Sequence, residues 1–101
     1  MAAQGGPATR DAVLADVIKV LTELTADWDV DFGAGLGEET RLVNDLSFES
    51  IDVVHFVTAL EEHYQRRDLP FQDILMEDGK YVEDIRVGDV VDFLAKQFGA
   101  A

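Results

Sequence analysis

Three segments of this chain repeat apolar residues at intervals of three and four, and no segment alternates apolar with polar residues over a useful length. Such spacing puts the apolar side chains on one face of a helix, whereas a half-buried strand needs a period of two. The first segment runs from Asp11 to about Asp27. Its apolar positions are Leu14, Val17, Ile18, Leu21, Leu24 and Trp28, and Thr9 or Asp11 would cap it. The second runs from about Ser50 to Gln65. The last covers Val87 to about Gln97, with Val87, Val90, Val91, Leu94 and Phe98 on one face. A short fourth helix is predicted over Pro70 to Met76, Asp78-Gly79 reads as a turn, and the four residues from Lys80 are too few to count as a strand. The expected fold is all-α: a small bundle of three main helices plus a short extra one, with a long loop after the first helix. Glycines 33 to 37 mark that loop, and Leu42, Val43 and Leu46 are expected to pin its later half to the core.

A chain of 101 residues supports one core, so residues 9–101 are expected to form a single domain behind a flexible tail, residues 1–8. It has no cysteine, which excludes a disulfide framework, a thiolate metal site and a cysteine nucleophile. No apolar run approaches the ~18 residues of a membrane span. The opening residues lack the basic start and apolar stretch of a signal peptide. The expectation is a cytoplasmic monomer without a membrane span. Its 8 basic against 21 acidic residues give a net charge of −13. That excess argues against nucleic acid, whose affinity rests on Lys and Arg at phosphates. It argues for basic protein partners, steered by charges that salt would screen.

The second helix is the informative one. With Ser50 at the origin and about 100° per residue, Val53, Phe56, Val57, Leu60 and Tyr64 fall within one buried arc. Asp52, His55 and Glu62 lie roughly opposite. Ile51 sits between the faces, near Val54 and Thr58, and reads as an apolar contact residue one step from the helix start. Between Arg41 and Arg66 there is no Lys or Arg, while Asp45, Glu49, Asp52, Glu61 and Glu62 are acidic. A solvated face accounts for such a run by itself; a serine at a helix N-terminus in its midst is less ordinary. First-turn N–H groups and the helix dipole would stabilise a phosphodiester on Ser50. Serine also simply caps helices, and that alternative stays open here.

The stretch from Leu42 to Tyr64 resembles the signature of the acyl carrier proteins. Their usual form is an Asp-Leu pair, a short turn, Asp-Ser-Leu, and an acidic amphipathic helix ending Leu-Glu-Glu-x-aromatic. Asp45-Leu46 matches the pair, Ser50 falls on the modified serine, and Leu60 to Tyr64 matches the end. Val87 to Leu94 is similar to the family's last helix, so the likeness covers roughly residues 42–98. The departures are Glu49 for Asp, Ile51 for Leu, Ser47 where Gly is common, His55 at an often acidic position and Phe56 where Leu is more frequent. The connection from Pro70 to Val87 is also several residues longer than in compact members. Together they point to a specialised carrier rather than the housekeeping one.

The resemblance implies a covalent 4′-phosphopantetheine, taken from coenzyme A and attached to Ser50 by a separate phosphopantetheinyl transferase. Acyl groups would ride on it as thioesters and be presented to acyl-loading and acyl-transfer enzymes of fatty-acid, lipid or polyketide biosynthesis. Glu49, Asp52, Glu61 and Glu62 would face basic patches on those partners, with Ile51 and Val54 filling a shallow apolar contact and His55 a further contact residue that bears on partner preference. Val53, Phe56, Val57, Leu60 and Tyr64 would line a cavity for the acyl chain. The alternative is an unmodified acidic helical module that binds partners through the same face.

Two decoys are set aside. Ser50, Asp52 and His55 suggest a catalytic triad, but five helical residues turn His55 about 140° from Ser50, out of reach of its oxygen. The chain is therefore read as a carrier and not an enzyme. Asp27, Asp29, Asp31 and Glu38 have the carboxylate spacing of a calcium loop, but Phe32 stands where that loop needs glycine. No metal is assigned, and these four are the only candidates.

Overall fold

The computed structural model describes residues 9–26 and 36–99. They form α1 (Arg10–Leu24), α2 (Ser50–Tyr64), α3 (Gln72–Leu75), a two-residue ribbon of β1 (Met76–Glu77) and β2 (Lys80–Tyr81), and α4 (Val87–Phe98). The helical bundle is as expected, three main helices and a short one. The tail of residues 1–8, Trp28 and the glycines before Gly37 lie outside the described residues.

Thr9, not Asp11, caps α1: its Oγ1 accepts a hydrogen bond from the Ala12 N–H at 3.2 Å. The helix ends at Leu24, short of Asp27, where the Thr25 hydroxyl and N–H both turn back onto the Leu21 carbonyl. Its deepest face is Val13, Val17, Val20 and Leu21. Leu14 and Ile18, expected at the centre, lie roughly 100° round from it and are half-buried. Apolar spacing alone could not separate these adjacent stripes; packing does, because α1 is wedged between α2 and α4 and must bury a wide arc. Phe56 and Leu60 of α2 and Val87, Val91 and Leu94 of α4 close the core around it.

The turn at Asp78-Gly79 has both residues left-handed, at φ 56° and 81°. That is the twist a tight hairpin needs, and it pairs Met76 with Tyr81 and Glu77 with Lys80. The short helix therefore stops at Leu75, and Met76 is a strand residue. A ribbon of two residues per side is too short to leave an alternating pattern in the sequence. The Val82 N–H continues the ladder onto the Leu75 carbonyl at 2.9 Å.

The loop after α1 is fixed by running antiparallel to the chain that enters α4. Leu42 N–H donates to the Ile85 carbonyl at 3.0 Å, Val87 N–H to Thr40 at 2.8 Å and Gly88 N–H to Glu38 at 2.9 Å. A Cβ on Gly88 would lie 3.2 Å from that Glu38 carbonyl, so glycine permits the approach. Asp84 locks the crossing. Its carboxylate accepts from the N–H groups of Val43 (2.8 Å), Asn44 (3.0 Å) and Ile85 (2.8 Å). Burial would raise its pKa, but these three donors and the Arg41 charge together hold it below the ordinary carboxylate value.

A carboxyl depressed in the folded state stabilises above its unfolded pKa, and that stabilisation is lost as pH falls through the folded value. Asp84→Asn should therefore cost stability at pH 7, by about 1 kcal/mol. The gap to the parent should close as the pH drops below about 4, the range in which a carboxyl protonates. Urea titrations of both proteins across that range measure it; a gap independent of pH would mean that Asp84 acts only by its shape.

Candidate functional site

Ser50 is the first residue of α2 and is exposed. The loop ahead of it is wound tightly. Arg41 carbonyl accepts from the N–H groups of Asp45 and Leu46 (3.0 and 3.2 Å), and the Ser47 N–H donates to Val43 at 2.9 Å. Phe48 N–H then closes the loop onto the Leu42 carbonyl at 3.0 Å. Leu42, Leu46 and Phe48 are buried, with Phe48 set edge-on to Phe56 at 6.5 Å. Val43, expected among the pins, is instead exposed. Phe48, two residues before Ser50, is the anchor that periodicity overlooked, because it belongs to no repeating stripe.

The cap of α2 is Glu49, not Ser50. Asp52 Oδ2 accepts from the Glu49 N–H at 2.8 Å, as the third helical residue does in a capping box. The Ser50 hydroxyl makes no hydrogen bond to the described residues. Around it, the first-turn N–H groups of Ser50 and Ile51 have no intrahelical acceptor, and the positive end of the helix dipole points outward. A free hydroxyl and an environment favourable to an attached anion thus coincide.

A cleft of about 350 Å³ opens beside Ser50 and Glu49 and runs between α2 and the chain from Leu75 to Ile85. Its apolar walls are Val53, Val54 and Val57 on one side and Leu75, Val82 and Ile85 on the other. Glu49, Glu83 and Asp84 are the charged groups at it, and no Lys or Arg lines it among the described residues. Of the five residues read as a cavity, Val53 and Val57 face this cleft. Phe56 and Leu60 are closed into the core beside α1, at 1% and 0% exposure. Tyr64 lies at the far end of the helix, where its hydroxyl donates to Asp16 at 3.0 Å and its ring meets Phe98. Burial first, then the charge and hydrogen bond of Asp16, push its phenol well above the ordinary value.

The residues read as partner contacts do not share one face: Glu49 and Val54 border the cleft. Ile51 is 56% and Val54 47% exposed, large values for aliphatic side chains. Glu49, His55 and Glu62 are exposed, while Asp52 and Glu61 are half-buried. Asp27, Asp29 and Asp31 of the calcium-like spacing lie outside the described residues. Glu38 is engaged elsewhere. Its carboxylate receives Arg10 at 2.8 Å, a hydrogen bond that also lowers its pKa, and Arg10 reaches Asp92 at 2.7 Å. Among the described residues no group of three or more His, Asp or Glu is placed to hold a metal ion.

The chain is 32% identical over 84 residues to an acyl carrier protein from Campylobacter lari, an alignment spanning 82% of this chain and 92% of that protein. The chain belongs to the acyl carrier protein family. No family model matches it, and no solved structure does. The groups around the candidate site that sequence reasoning missed are Phe48, Asp84, and the Leu75–Val82 pair. Asp84 has no signal in composition or spacing, since its three partners are found only once the chain crosses itself.

One departure from the family pattern has a backbone reason. Ser47, where glycine is common, is left-handed at φ 60°. Such a residue costs roughly 1–2 kcal/mol when it has a Cβ, and more when that Cβ is branched. Ser47→Gly should leave stability unchanged or raise it by up to about 1 kcal/mol, part of the relief being spent on the looser unfolded chain. Ser47→Val should lower it by about 1–2 kcal/mol. Midpoints of urea unfolding test the pair, and equal midpoints would remove the strain argument.

Proposed function

We propose that this chain holds acyl groups as thioesters on a 4′-phosphopantetheine arm joined by a phosphodiester to Ser50. It would present them to enzymes of fatty-acid, lipid or polyketide biosynthesis. The observation that carries the reading is the exposed Ser50 hydroxyl, free of any capping role, at a helix N-terminus and at the mouth of an apolar cleft. Family membership agrees with it. The residues fit the group: free first-turn N–H donors suit the phosphate, and nothing among the described residues competes for the oxygen. The bound arm supplies the thiol that a chain without cysteine lacks.

This chain's own part in attachment is to present the nucleophile. Ser50 Oγ displaces the adenosine bisphosphate half of coenzyme A, forming the new phosphate ester as the pyrophosphate P–O bond breaks. The serine proton passes to a base of the transferase, because His55 points about 140° away around the helix. The chain is then a carrier, not a catalyst. Glu49, Glu62 and the other α2 carboxylates steer basic partners, and Ile51 and Val54 supply a small apolar contact. Such an interface suits encounters that must be brief. Cytoplasmic, monomeric operation is consistent with this role, and no described helix is long and apolar enough to cross a membrane.

Incubation with coenzyme A and a broad-specificity phosphopantetheinyl transferase, followed by intact mass, should show one added arm. Ser50→Ala should abolish uptake with the melting temperature nearly unchanged, since the hydroxyl caps nothing. A parent that takes up no arm would leave the unmodified acidic interaction module as the reading.

The charged face yields a separate expectation. Glu62→Lys should slow attachment several-fold at low salt, through association rather than the chemical step, and added salt should slow the parent similarly. Glu62 is the clean choice because it is exposed, whereas Asp52 also caps the helix. Initial rates against ionic strength measure this, and salt-independent rates would reduce the acidic face to a solvated surface.

A further inference from the structure

Helices α1 and α2 each present one turn to an open groove between them: Val20, Glu23 and Leu24 from α1, and Ala59, Glu62 and His63 from α2. Both sets have the spacing i, i+3, i+4, which puts the three side chains on one face of each helix. The groove measures about 400 Å³. Its base is apolar, since Val20 is buried and Leu24 and Ala59 are half-buried, while Glu23 and Glu62 stand exposed, one on each helix. No Lys or Arg among the described residues lines it. The two walls are tied together at one end. Asp16, one turn before Val20, accepts from the Tyr64 hydroxyl at 3.0 Å and lies 3.6 Å from His63 Nε2. Rotation about α2 sets this groove apart from the cleft beside Ser50. With Ser50 at the origin, Val53, Val54 and Val57 fall within about 60° of it, whereas Ala59, Glu62 and His63 fall at about 120–220°. These three also lie about 13–20 Å further along the axis.

We infer that this groove is a second docking surface, and that its occupant is a basic helical segment of a partner protein. An arginine or lysine side chain joins an aliphatic stem to a charged head. Val20, Leu24 and Ala59 cover the stem, and Glu23 and Glu62 receive the head from both helices. Like charges on both walls, with no resident cation between them, favour a cationic guest. The same charge disfavours a second copy of this chain, which carries −13. A helix suits the walls because each offers contacts one helical turn apart, which anchors at three- and four-residue spacing on the guest can match. The surface itself does not depend on the carrier role. Its use rests on that role as proposed above: a partner held here leaves Ser50 and its arm uncovered, so the carrier stays attached to one protein while the arm visits another.

The test titrates the full chain into a labelled synthetic helical peptide that carries arginines beside leucines on one face. A scrambled peptide of the same composition controls for charge alone. Fluorescence anisotropy gives Kd, and amide NMR shifts locate the contact. The helical peptide should bind more tightly than the scrambled one and shift Val20, Leu24 and Ala59, but not Ile51 or Val54. Glu23→Gln should weaken binding roughly two- to fivefold, the loss of one exposed ion pair. Glu77→Gln makes an equal change of net charge on the exposed ribbon and should leave Kd unchanged. Ala59→Lys puts a cation into the groove and should abolish binding at concentrations that saturate the parent, with helix content unchanged by circular dichroism. The arm-carrying chain should bind the peptide as tightly as the bare chain, because the groove faces away from Ser50. No binding, equal binding of the two peptides, shifts centred on Ile51 and Val54, equal losses from Glu23→Gln and Glu77→Gln, or binding lost on attachment of the arm would overturn the inference. A chain whose mass shows no arm would instead overturn the carrier role, and the titration of the bare chain would still decide the groove.

Discussion

The carboxylate of Asp84 fastens the loop before α2 to the segment before α4, and most of what makes the site depends on that crossing. It accepts three backbone N–H groups from two distant stretches of chain, and the Leu42 to Ile85 hydrogen bond lies beside it. Of these donors the Ile85 N–H is part-buried, and without an acceptor it would cost about 1–3 kcal/mol if it lost water, whereas Val43 and Asn44 are exposed and can turn to solvent. A charged acceptor serves better here than a backbone carbonyl, because one carboxylate can bind several donors at once and its ionic form is held by them. With the crossing made, Leu42, Leu46 and Phe48 have a fixed frame from which to enter the core, and Ser50 follows two residues later.

The two sides of α2 consequently differ in mechanical character. Its inner side, Phe56 and Leu60, is packed at 1% and 0% exposure against a helix that itself touches both neighbours. Its other side faces a cleft whose far wall is a ribbon flank. Close-packed cores resist change of volume, whereas a half-exposed wall can shift at little cost. A helix held firmly on one flank and loosely on the other can yield on its loose side without moving its first residue. That division follows from burial and connectivity alone.

Periodicity identified the three main helices and placed the ends of α2 and α4 to within one residue, since each presents an apolar stripe wide enough to read. It misjudged the centre of the stripe on α1, where Leu14 and Ile18 form a second plausible row beside Val13 and Val20. It passed over the ribbon, for which the Asp-Gly turn was the only available sign. The position of Ser50 at the start of α2 could be read from the sequence; its freedom from capping could not, because serine and glutamate both occur at helix starts and only the backbone angles distinguish the cap from the first helical residue. Asp84 and the Leu75–Val82 pair were out of reach for a common reason. Their roles are defined by contacts across the chain's crossings, and no local pattern encodes which carboxylate among 21 will find three donors.

Charge completes the logic of the surface. Several of the few cations are tied up at the ends of the bundle: Arg10 with Glu38 and Asp92, Arg66 with Asp68, and Arg86 with Glu39 and Asp89. Exposed pairs of this kind add little stability, and they do nothing to neutralise the outer face of α2, which contains no Lys or Arg. The carboxylates there repel one another and oppose the compact state by a small amount that the core readily offsets. A basic partner removes that repulsion on contact, so part of the binding energy is the relief of strain already present in the free chain. The same term vanishes when the partner leaves or salt rises, because it comes from screened, exposed charges rather than from buried area. An acidic helix that keeps cations away from its exposed face is thereby suited to many short encounters instead of one lasting complex.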